Sequence, residues 1–366
     1  MTKFYTSFNH LISAKYPSIK LINVAFITSA LFSCLRLIAA CILFSGFTQA
    51  SENSKIPVQL QSSSGTTIEQ SLKPKTIDVL WLSSSPKPAE DLILKGFEYG
   101  FDKPYLLKFV SLKDQALIPL FLSNNDYEII IASGDMAWNI IANLNTKTNA
   151  IGLGVSQKTL LEYSSGLKAN QFLLTKEQPP NRIFAFIDSL ELKHAQVSEF
   201  FTKHHQALRH SQTNSAKKIG VPYKAIIIEA DTSVMKVINS VHNCCGILYL
   251  KHYDFLGNTR KHQATFYESY RRRIVTIGNR PYMASLGANY VIYTPEHEIG
   301  IQAVNIINKI QQKEPQAAIH YPQEFAIDIN TKLTHLFNKG NKALSVGILI
   351  DKIKNAEKIF KQETKS

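Results

Sequence analysis

The chain has 366 residues, of which 45% are hydrophobic and 19% are charged. This composition is typical of a folded rather than a disordered chain, and the length indicates about two domains. The formal net charge is +13. The basic residues are spread along the chain rather than gathered in one arm, so no nucleic-acid partner is expected. The densest basic run, residues 271–273, ends a predicted helix, where cations favour the helix dipole.

The N-terminal residues 1–50 differ from the rest of the chain. They include basic residues and no acidic residue. Two apolar stretches, 21–35 and 37–47, are separated by Arg36, and small residues lead up to Ala50. This pattern predicts a signal peptide over residues 1–50 that is cleaved after Ala50, and hence a periplasmic protein.

Two alternatives for this N-terminal region remain open. The apolar stretch 21–47 is long enough to stay as a membrane anchor, although a charge at its centre is costly. The residues that end at Cys41 resemble a lipoprotein cleavage site, although the chain stays apolar after Cys41. All three readings export the remainder of the chain. Residues 51–75 are rich in Ser, Gln, Lys and Thr, and they predict a flexible leader.

Apolar runs alternate with helical patterns after the leader. Continuous apolar runs are typical of parallel strands that are covered on both faces. The predicted elements are strand 77–82, helix 89–99, strand 106–110, helix 113–122, strand 127–132, helix 136–144 and strand 150–155. This alternation predicts a doubly wound α/β lobe.

A bridge over residues 173–190 leads to a second α/β pattern. The bridge contains the phrase Glu-Gln-Pro-Pro-Asn-Arg at residues 177–182. The elements predicted after it are strand 196–201, helix 206–219, strand 223–230, helix 231–242, strand 247–253, helix 260–273, strand 274–277, strand 290–293, helix 295–312, strand 325–329 and helix 344–360. We expect Asp231 and Thr294 to be helix N-caps.

The segment 269–303 has the most distinctive order of parts. A buried strand ends at Gly278 and Asn279, a glycine step follows at Gly287, and the next strand leads into a helix that opens Glu-His-Glu-Ile-Gly-Ile-Gln-Ala at residues 296–303. This order, together with the phrase at 177–182, resembles the substrate-binding proteins of ABC importers, in the large "ABC substrate-binding" family. The resemblance covers roughly residues 76–336.

The resemblance implies a type I periplasmic-binding-protein fold with two doubly wound, Rossmann-like lobes, a hinge and an interlobe cleft. Lobe one would comprise 76–176 plus about 294–314, and lobe two 177–293 plus about 315–336. The helix 295–312 would pack back on lobe one. Residues 337–366 form a C-terminal helical extension that goes beyond the usual end of the family. The resemblance also implies a small-molecule solute, hinge closure, and delivery to an ABC permease at the inner membrane.

Ligands of open α/β sheets bind outside the carboxyl ends of the strands. The polar residues expected there are Ser83, Ser84, Ser85, Ser133, Gly134, Asp135 and Ser156 in lobe one, and Tyr253, Asp254 and Asn279 in lobe two. Backbone N–H groups at helix N-termini suit a carboxylate, and the two aspartates could hold an amine. This set predicts a small zwitterion, such as an amino acid, or another small anion. Taken singly, each residue could instead be a helix cap or turn former.

Catalysis has little support in the sequence. It contains no Gly-x-Ser-x-Gly elbow, no Walker loop and no His-Glu-x-x-His motif, so neither an enzyme nor a cofactor is expected. The histidines at 194, 204, 205 and 210 are interpreted as exposed rather than as metal ligands. Cys244 and Cys245 are adjacent and are interpreted as small buried residues, a vicinal disulfide being the alternative.

Two departures from the family pattern bear on function. The second lobe begins with Val-Ser-Glu-Phe-Phe at 197–201 instead of a glycine-rich strand, and Asn289 occupies a position where the family has a small apolar residue. A membrane-anchored or periplasmic ligand-sensing or adaptor module without a transport role therefore stands as the alternative function. We expect a monomer in either case.

Overall fold

The computed structural model describes residues 76–84, 87–112, 118–119, 122, 127–144, 146–192, 195–229, 232–242, 246–251, 259–334 and 345–363. They belong to one compact unit, Ser71–Ser366. The predicted signal peptide and leader, the cap at Asp231, and Cys244 and Cys245 lie outside the described residues. Within the described ranges, no helix is long and apolar enough to cross a membrane.

The first half of the chain alternates strands and helices. Its elements are β1 (Ile77–Ser83), α1 (Lys87–Gly100), β2 (Tyr105–Ser111), β3 (Ile129–Ser133), α2 (Asp135–Ala142), β4 (Asn149–Val155), α3 (Gln157–Tyr163) and β5 (Gln171–Thr175). The sequence prediction missed α3 and β5. The apolar part of β5 is a short run between Gln171 and Thr175, and the Pro-rich phrase follows it almost at once, so its pattern is weak.

The second half continues the alternation. Its elements are α4 (Pro180–Ser189), β6 (Val197–Phe201), α5 (Gln206–Ile219), β7 (Tyr223–Ile227), α6 (Val234–His242), β8 (Ile247–Leu250), α7 (Thr259–Arg271), β9 (Val275–Gly278), α8 (Tyr282–Ser285) and β10 (Tyr290–Tyr293). The last elements are α9 (Glu296–Gln311), β11 (Ile319–His320), β12 (Ala326–Ile329), α10 (Thr331–Thr334) and α11 (Val346–Glu363).

The strands form two sheets with the same winding. The first has the order β11-β5-β4-β3-β1-β2 and the second the order β12-β10-β9-β8-β6-β7. Neighbouring strands are parallel, except that β12 runs antiparallel to β10. In each sheet the order reverses beside the first strand, between β1 and β3 and between β6 and β8. The predicted fold class, two doubly wound α/β lobes, is confirmed.

Helix α9 packs on the first lobe, as the family resemblance implied. Its Ile299, Ala303 and Ile307 are buried in one core cluster with Trp81 of β1 and Phe97 of α1. After α9 the chain adds β11 to the edge of the first sheet, beside β5. This corrects the expectation that residues after about 314 lie wholly in lobe two.

Two local predictions in this region need comment. Helix α9 starts after an N-cap at Pro295, and the hydroxyl of Thr294 donates to the Lys176 carbonyl at 3.1 Å, so the expected N-cap at Thr294 is wrong. Asn289, which departs from the family pattern, has a structural role. Its Oδ1 accepts from the backbone N–H and the hydroxyl of Thr276, at 2.8 and 2.9 Å, and so joins the start of β10 to β9.

The C-terminal helix α11 packs on the second lobe. Leu349 and Ile353 are fully buried in the same core cluster as Ile183 and Ile187 of α4. Their spacing of four residues places both on one face of the helix. The predicted extension is therefore an integral layer of the second lobe where the structure describes it.

Candidate functional site

The chain passes between the two sheets at three places. These crossing segments are residues 175–180 between β5 and α4, 293–296 between β10 and α9, and 320–326 between β11 and β12. The first two are joined by hydrogen bonds, because the Gln178 amide donates to the Thr294 hydroxyl and that hydroxyl donates to the Lys176 carbonyl. Crossing segments that pair in this way are the usual elements of a hinge.

A group of polar side chains lies around the crossing segments and the facing strand ends. We name it the interlobe polar cluster; its members are Asp135, Gln157, Lys176, Glu177, Glu199, Tyr249, Lys251, Arg280 and Tyr321. They come from both lobes and from the first and third crossing segments. The cluster therefore lies where the interlobe cleft of this fold is expected.

A buried ion pair forms the lobe-two side of the cluster. The Lys251 ammonium lies 2.7 Å from Oε1 of Glu199, and the two side chains are 2% and 0% exposed. The Tyr223 hydroxyl donates to the other Glu199 oxygen at 2.9 Å. Burial raises the pKa of Tyr223, and the Glu199 charge raises it further, so this hydroxyl keeps its proton. The pair sits beside the point where the second sheet reverses its strand order.

Lys251 also reaches the first lobe. Its ammonium lies 3.5 Å from the amide oxygen of Gln157, the first residue of α3. Tyr321 of the third crossing segment is next to Gln157, and burial raises the pKa of Tyr321. Gln157 is thus in contact with lobe two through Lys251 and with the hinge through Tyr321.

Charges of both signs surround Lys176 on the first crossing segment. Burial lowers the pKa of the Lys176 ammonium, and the neighbouring Arg280 lowers it further, while the carboxylates of Glu177, Asp135 and Glu296 oppose this shift. Glu177 itself is buried, and its Oε2 has no hydrogen-bond partner in the part of the chain that the structure describes. A buried carboxylate oxygen without a donor is costly, which makes it a strong candidate to receive a donor from a ligand.

The predicted serines of β1 and β3 have intramolecular roles. The Ser133 hydroxyl donates to Glu90 at 2.8 Å, and the Trp81 indole N–H donates to the other oxygen of Glu90. Ser84 donates to the Ser133 carbonyl at 2.8 Å and accepts from the backbone N–H of Ala137 at 3.2 Å. Ser84 therefore caps the first turn of α2, and the Ser133 side chain is buried beneath it.

Ser83 and Ser84 nevertheless line an open cavity of about 720 Å³ at the carboxyl ends of β1 and β2. The cavity is also lined by Lys87, Glu90, Asp91, Leu94, Phe109, Ser111, Leu112 and Met136. Its volume is in the range of small-molecule sites. The structure thus places these two predicted residues at a cavity.

Three further predicted residues lie at the ends of β3 and β4, where a hydrogen bond joins the two strand ends. Gly134 has a φ of 85°, a conformation that favours glycine, and precedes Asp135 at the start of α2. The Asp135 carboxylate accepts from the backbone N–H of Ser156 at 2.7 Å. Ser156 caps α3 by accepting from Thr159 at 3.2 Å. The charge of the Asp135 carboxylate also acts on the Lys176 ammonium and opposes the lowering of its pKa. Asp135 is therefore the predicted residue that belongs to the interlobe polar cluster.

The remaining predicted residues belong to lobe two. Asn279 is buried, directly after β9 and directly before Arg280. Ser85, Tyr253 and Asp254 lie outside the described residues. The sequence prediction did not select Gln157, Lys176, Glu199, Lys251 or Arg280. A signal existed for two of them, because Glu199 and Lys251 are charged residues within the predicted strands 196–201 and 247–253.

No metal centre stands out beside this cluster. Among the described residues, no group of three or more His, Cys, Asp or Glu side chains is placed to hold a metal ion.

Comparison with solved structures identifies the architecture. A substrate-binding protein with adhesive properties from Clostridium difficile, in a ligand-free, open structure, matches with a TM-score of 0.58 and 14% identity, over 74% of this chain and 97% of that one. A conserved domain protein from Vibrio cholerae matches with a TM-score of 0.52 and 11% identity, over 75% and 98%. The ABC domain in complex with L-Trp from Streptococcus pneumonia matches with a TM-score of 0.51 and 13% identity, over 75% and 97%.

No family model and no curated protein sequence matches the chain. The identities to the solved structures are low, so the likeness is one of fold. It spans nearly the whole of each solved chain and includes both lobes. The chain therefore has the two-lobed, type I periplasmic-binding-protein fold that is found in substrate-binding proteins of ABC transporters.

Proposed function

We propose that this chain is an exported solute-binding protein that captures a small, amino-acid-like ligand between its two lobes and delivers it to an ABC permease. The observation that carries the proposal is the interlobe polar cluster, in which a buried Glu177 oxygen lacks a hydrogen-bond partner among the described residues. The cluster draws on both lobes and on the hinge, so a ligand held there would contact every part that moves during closure.

The charges of the cluster favour a zwitterion. Lys176 and Arg280 offer two cationic donors to a ligand carboxylate, and Asp135 and Glu177 offer acceptors to a ligand ammonium group. A purely anionic ligand would leave the Glu177 oxygen without a donor, and a purely cationic ligand would not pair with Lys176 or Arg280. An amino acid offers both groups on one carbon and satisfies both requirements.

The export part of the proposal rests on the N-terminal sequence. The basic start, the apolar stretches and the small residues before Ala50 support a signal peptide and periplasmic delivery. A non-enzymatic role and a monomeric state are proposed with it. The alternative function, a ligand-sensing or adaptor module, would use the same interlobe cleft but a different protein partner. Binding to an ABC permease would favour transport, and binding to a histidine kinase would favour sensing.

A thermal-shift screen of the full chain tests the proposal. The panel is amino acids, sugars, nucleosides, polyamines and small anions. A ligand at about 100 times its dissociation constant adds roughly 2.7 kcal/mol of stability, which raises the midpoint by several degrees. We expect one amino acid or a close relative to produce this shift. We also expect Glu177→Gln to abolish the shift and Asp135→Asn to weaken it.

Lys158→Gln is the matched control. Lys158 is an exposed residue of α3, adjacent to Gln157, and it pairs with Glu162 at 3.8 Å on the helix surface. This variant should keep the full ligand-induced shift, because exposed ion pairs contribute little. A saturable shift by a sugar alone, or a shift that survives Glu177→Gln, would contradict the proposed ligand class. If no compound of the panel shifts the unfolding midpoint, the alternative function as an adaptor module is favoured.

Binding of an amino acid should also depend on pH in a defined direction. The protonated Lys176 ammonium pairs with the ligand carboxylate, and its lowered pKa means that this proton is lost at a lower pH than in an exposed lysine. Affinity should therefore fall as pH rises toward the ordinary pKa of a lysine, and the fall should begin at a lower pH than for an exposed lysine (about one decade per pH unit at most). Lys176→Arg keeps its charge at these pH values and should flatten the profile measured by calorimetry. Equal profiles for both proteins would exclude Lys176 from ligand binding.

A further inference from the structure

The C-terminal helix α11 makes a contact that its role as a layer of lobe two does not require. Glu357 of α11 accepts from Nε of Arg182 at 2.6 Å, and the two side chains are 20% and 7% exposed. Arg182 lies on α4, 175 residues earlier in the chain. An ion pair this shielded from water holds a guanidinium in one orientation more firmly than a surface pair does.

The other contacts of Arg182 all lead to the crossing segments. Its Nη1 donates to the Gln178 amide oxygen at 2.6 Å and to the Pro322 carbonyl at 2.8 Å. Gln178 is in the first crossing segment and Pro322 is in the third. The guanidinium also lies over the Phe325 ring, with the central carbon 4.8 Å from the ring centroid. Arg182 thus holds two of the three crossing segments together.

The second crossing segment joins the same network. The amide nitrogen of Gln178 donates to the hydroxyl of Thr294. On its other side, the third segment is held to lobe one, because Gln302 of α9 donates to the Tyr321 carbonyl at 2.9 Å and accepts from the Gln323 N–H at 3.0 Å. Arg182 is therefore bonded directly to the first and third crossing segments, and it reaches the second crossing segment through Gln178.

We infer that α11 is a latch on the hinge: Glu357 orients Arg182, and Arg182 in turn restrains all three crossing segments. Without the Glu357 charge, the guanidinium can turn toward water and release Gln178 and Pro322. Lobe two would keep its fold, because Leu349 and Ile353 still bury the inner face of α11. The crossing segments would then be less restrained. In the intact protein, α11 therefore limits how readily the two lobes move. This inference holds whatever the ligand is.

Hydrogen exchange of the full chain without ligand tests the latch. In Glu357→Gln we expect about tenfold faster exchange in peptides that cover 176–178 and 321–325, as loss of a charged hydrogen-bond partner would give. Sheet peptides of both lobes should be unchanged. Lys352→Gln is the matched control, because Lys352 is also on α11 but pairs with Glu191 at the surface. It should leave the crossing peptides at the wild-type rate.

Thr294→Val tests the same network from its other end, without touching α11. It removes the bonds from Gln178 and to the Lys176 carbonyl, so it should accelerate the same peptides. The double variant with Glu357→Gln should exchange little faster than either single variant, because both break one connected path. The latch is overturned if Glu357→Gln accelerates only α11 and α4, if it accelerates every peptide equally, or if the two substitutions are fully additive.

Discussion

Lys251→Met is expected to lower the free energy of unfolding by about 3 kcal/mol, the effect of leaving one member of a buried ion pair without its partner. Glu199 is fully buried on β6, where its carboxylate contacts the Lys251 ammonium and accepts a hydrogen bond from the hydroxyl of Tyr223. Methionine fills most of the volume of the lysine side chain and cannot neutralise the carboxylate. The loss should therefore come from the charge rather than from a cavity.

The double variant Glu199→Gln/Lys251→Met separates these causes. Removing both charges should recover most of the lost stability, because an uncharged glutamine is far less costly to bury and can still accept from Tyr223. Lys203→Gln is the control, since Lys203 forms an exposed pair with Glu229, and it should leave the stability at the wild-type value. Urea denaturation gives all four values. A double variant no more stable than Lys251→Met would show that packing, and not charge, is responsible.

The architecture could be predicted because its signals are local. Continuous apolar strands such as 127–132 and 150–155 each indicate a covered parallel sheet without reference to the rest of the chain. The packing of helix 295–312 on lobe one was implied by the family resemblance, and the shared core of α9 with β1 and α1 agrees with it. The misses were short elements. Strand β5 has only a brief apolar run, and β11 has two residues and almost no pattern.

The site was harder to predict because its partners are far apart in sequence. The strand-end rule selected Ser83, Ser84 and Asp135, which lie at or just after the carboxyl ends of β1 and β3. It could not reveal that Ser133 would be engaged by Glu90, or that the lobe-two charge would be Lys251 paired with Glu199. Glu199 was visible as a charged residue within a predicted strand. Its partner follows 52 positions later, and only the parallel pairing of β6 with β8 brings them together.

The largest effect on the first lobe is expected from Gly300→Ala. Gly300 of α9 lies against α1, and a Cβ at this position would be 2.0 Å from the Ile93 carbonyl oxygen and 2.5 Å from the Phe97 nitrogen. Both contacts are with backbone atoms, so no side-chain rotation can relieve them. Gly96 of α1 makes the reciprocal approach, with a Cβ placed 1.9 Å from the His297 carbonyl oxygen. The two helices must therefore separate to admit a methyl group, and we expect a loss of about 3 kcal/mol.

Gly347→Ala is the matched control for this substitution. Gly347 is also a helical glycine, on α11, and an added Cβ there would lie 4.0 Å from the Ser345 hydroxyl oxygen, which is an ordinary van der Waals distance. Alanine should be neutral or raise stability by up to about 1 kcal/mol, because it restricts the unfolded chain without a clash. Thermal unfolding of both variants measures the contrast. If Gly300→Ala is as stable as the wild type, α9 is not held against α1 by close backbone contact, and side-chain packing of Ile299, Ala303 and Ile307 alone must anchor it to lobe one.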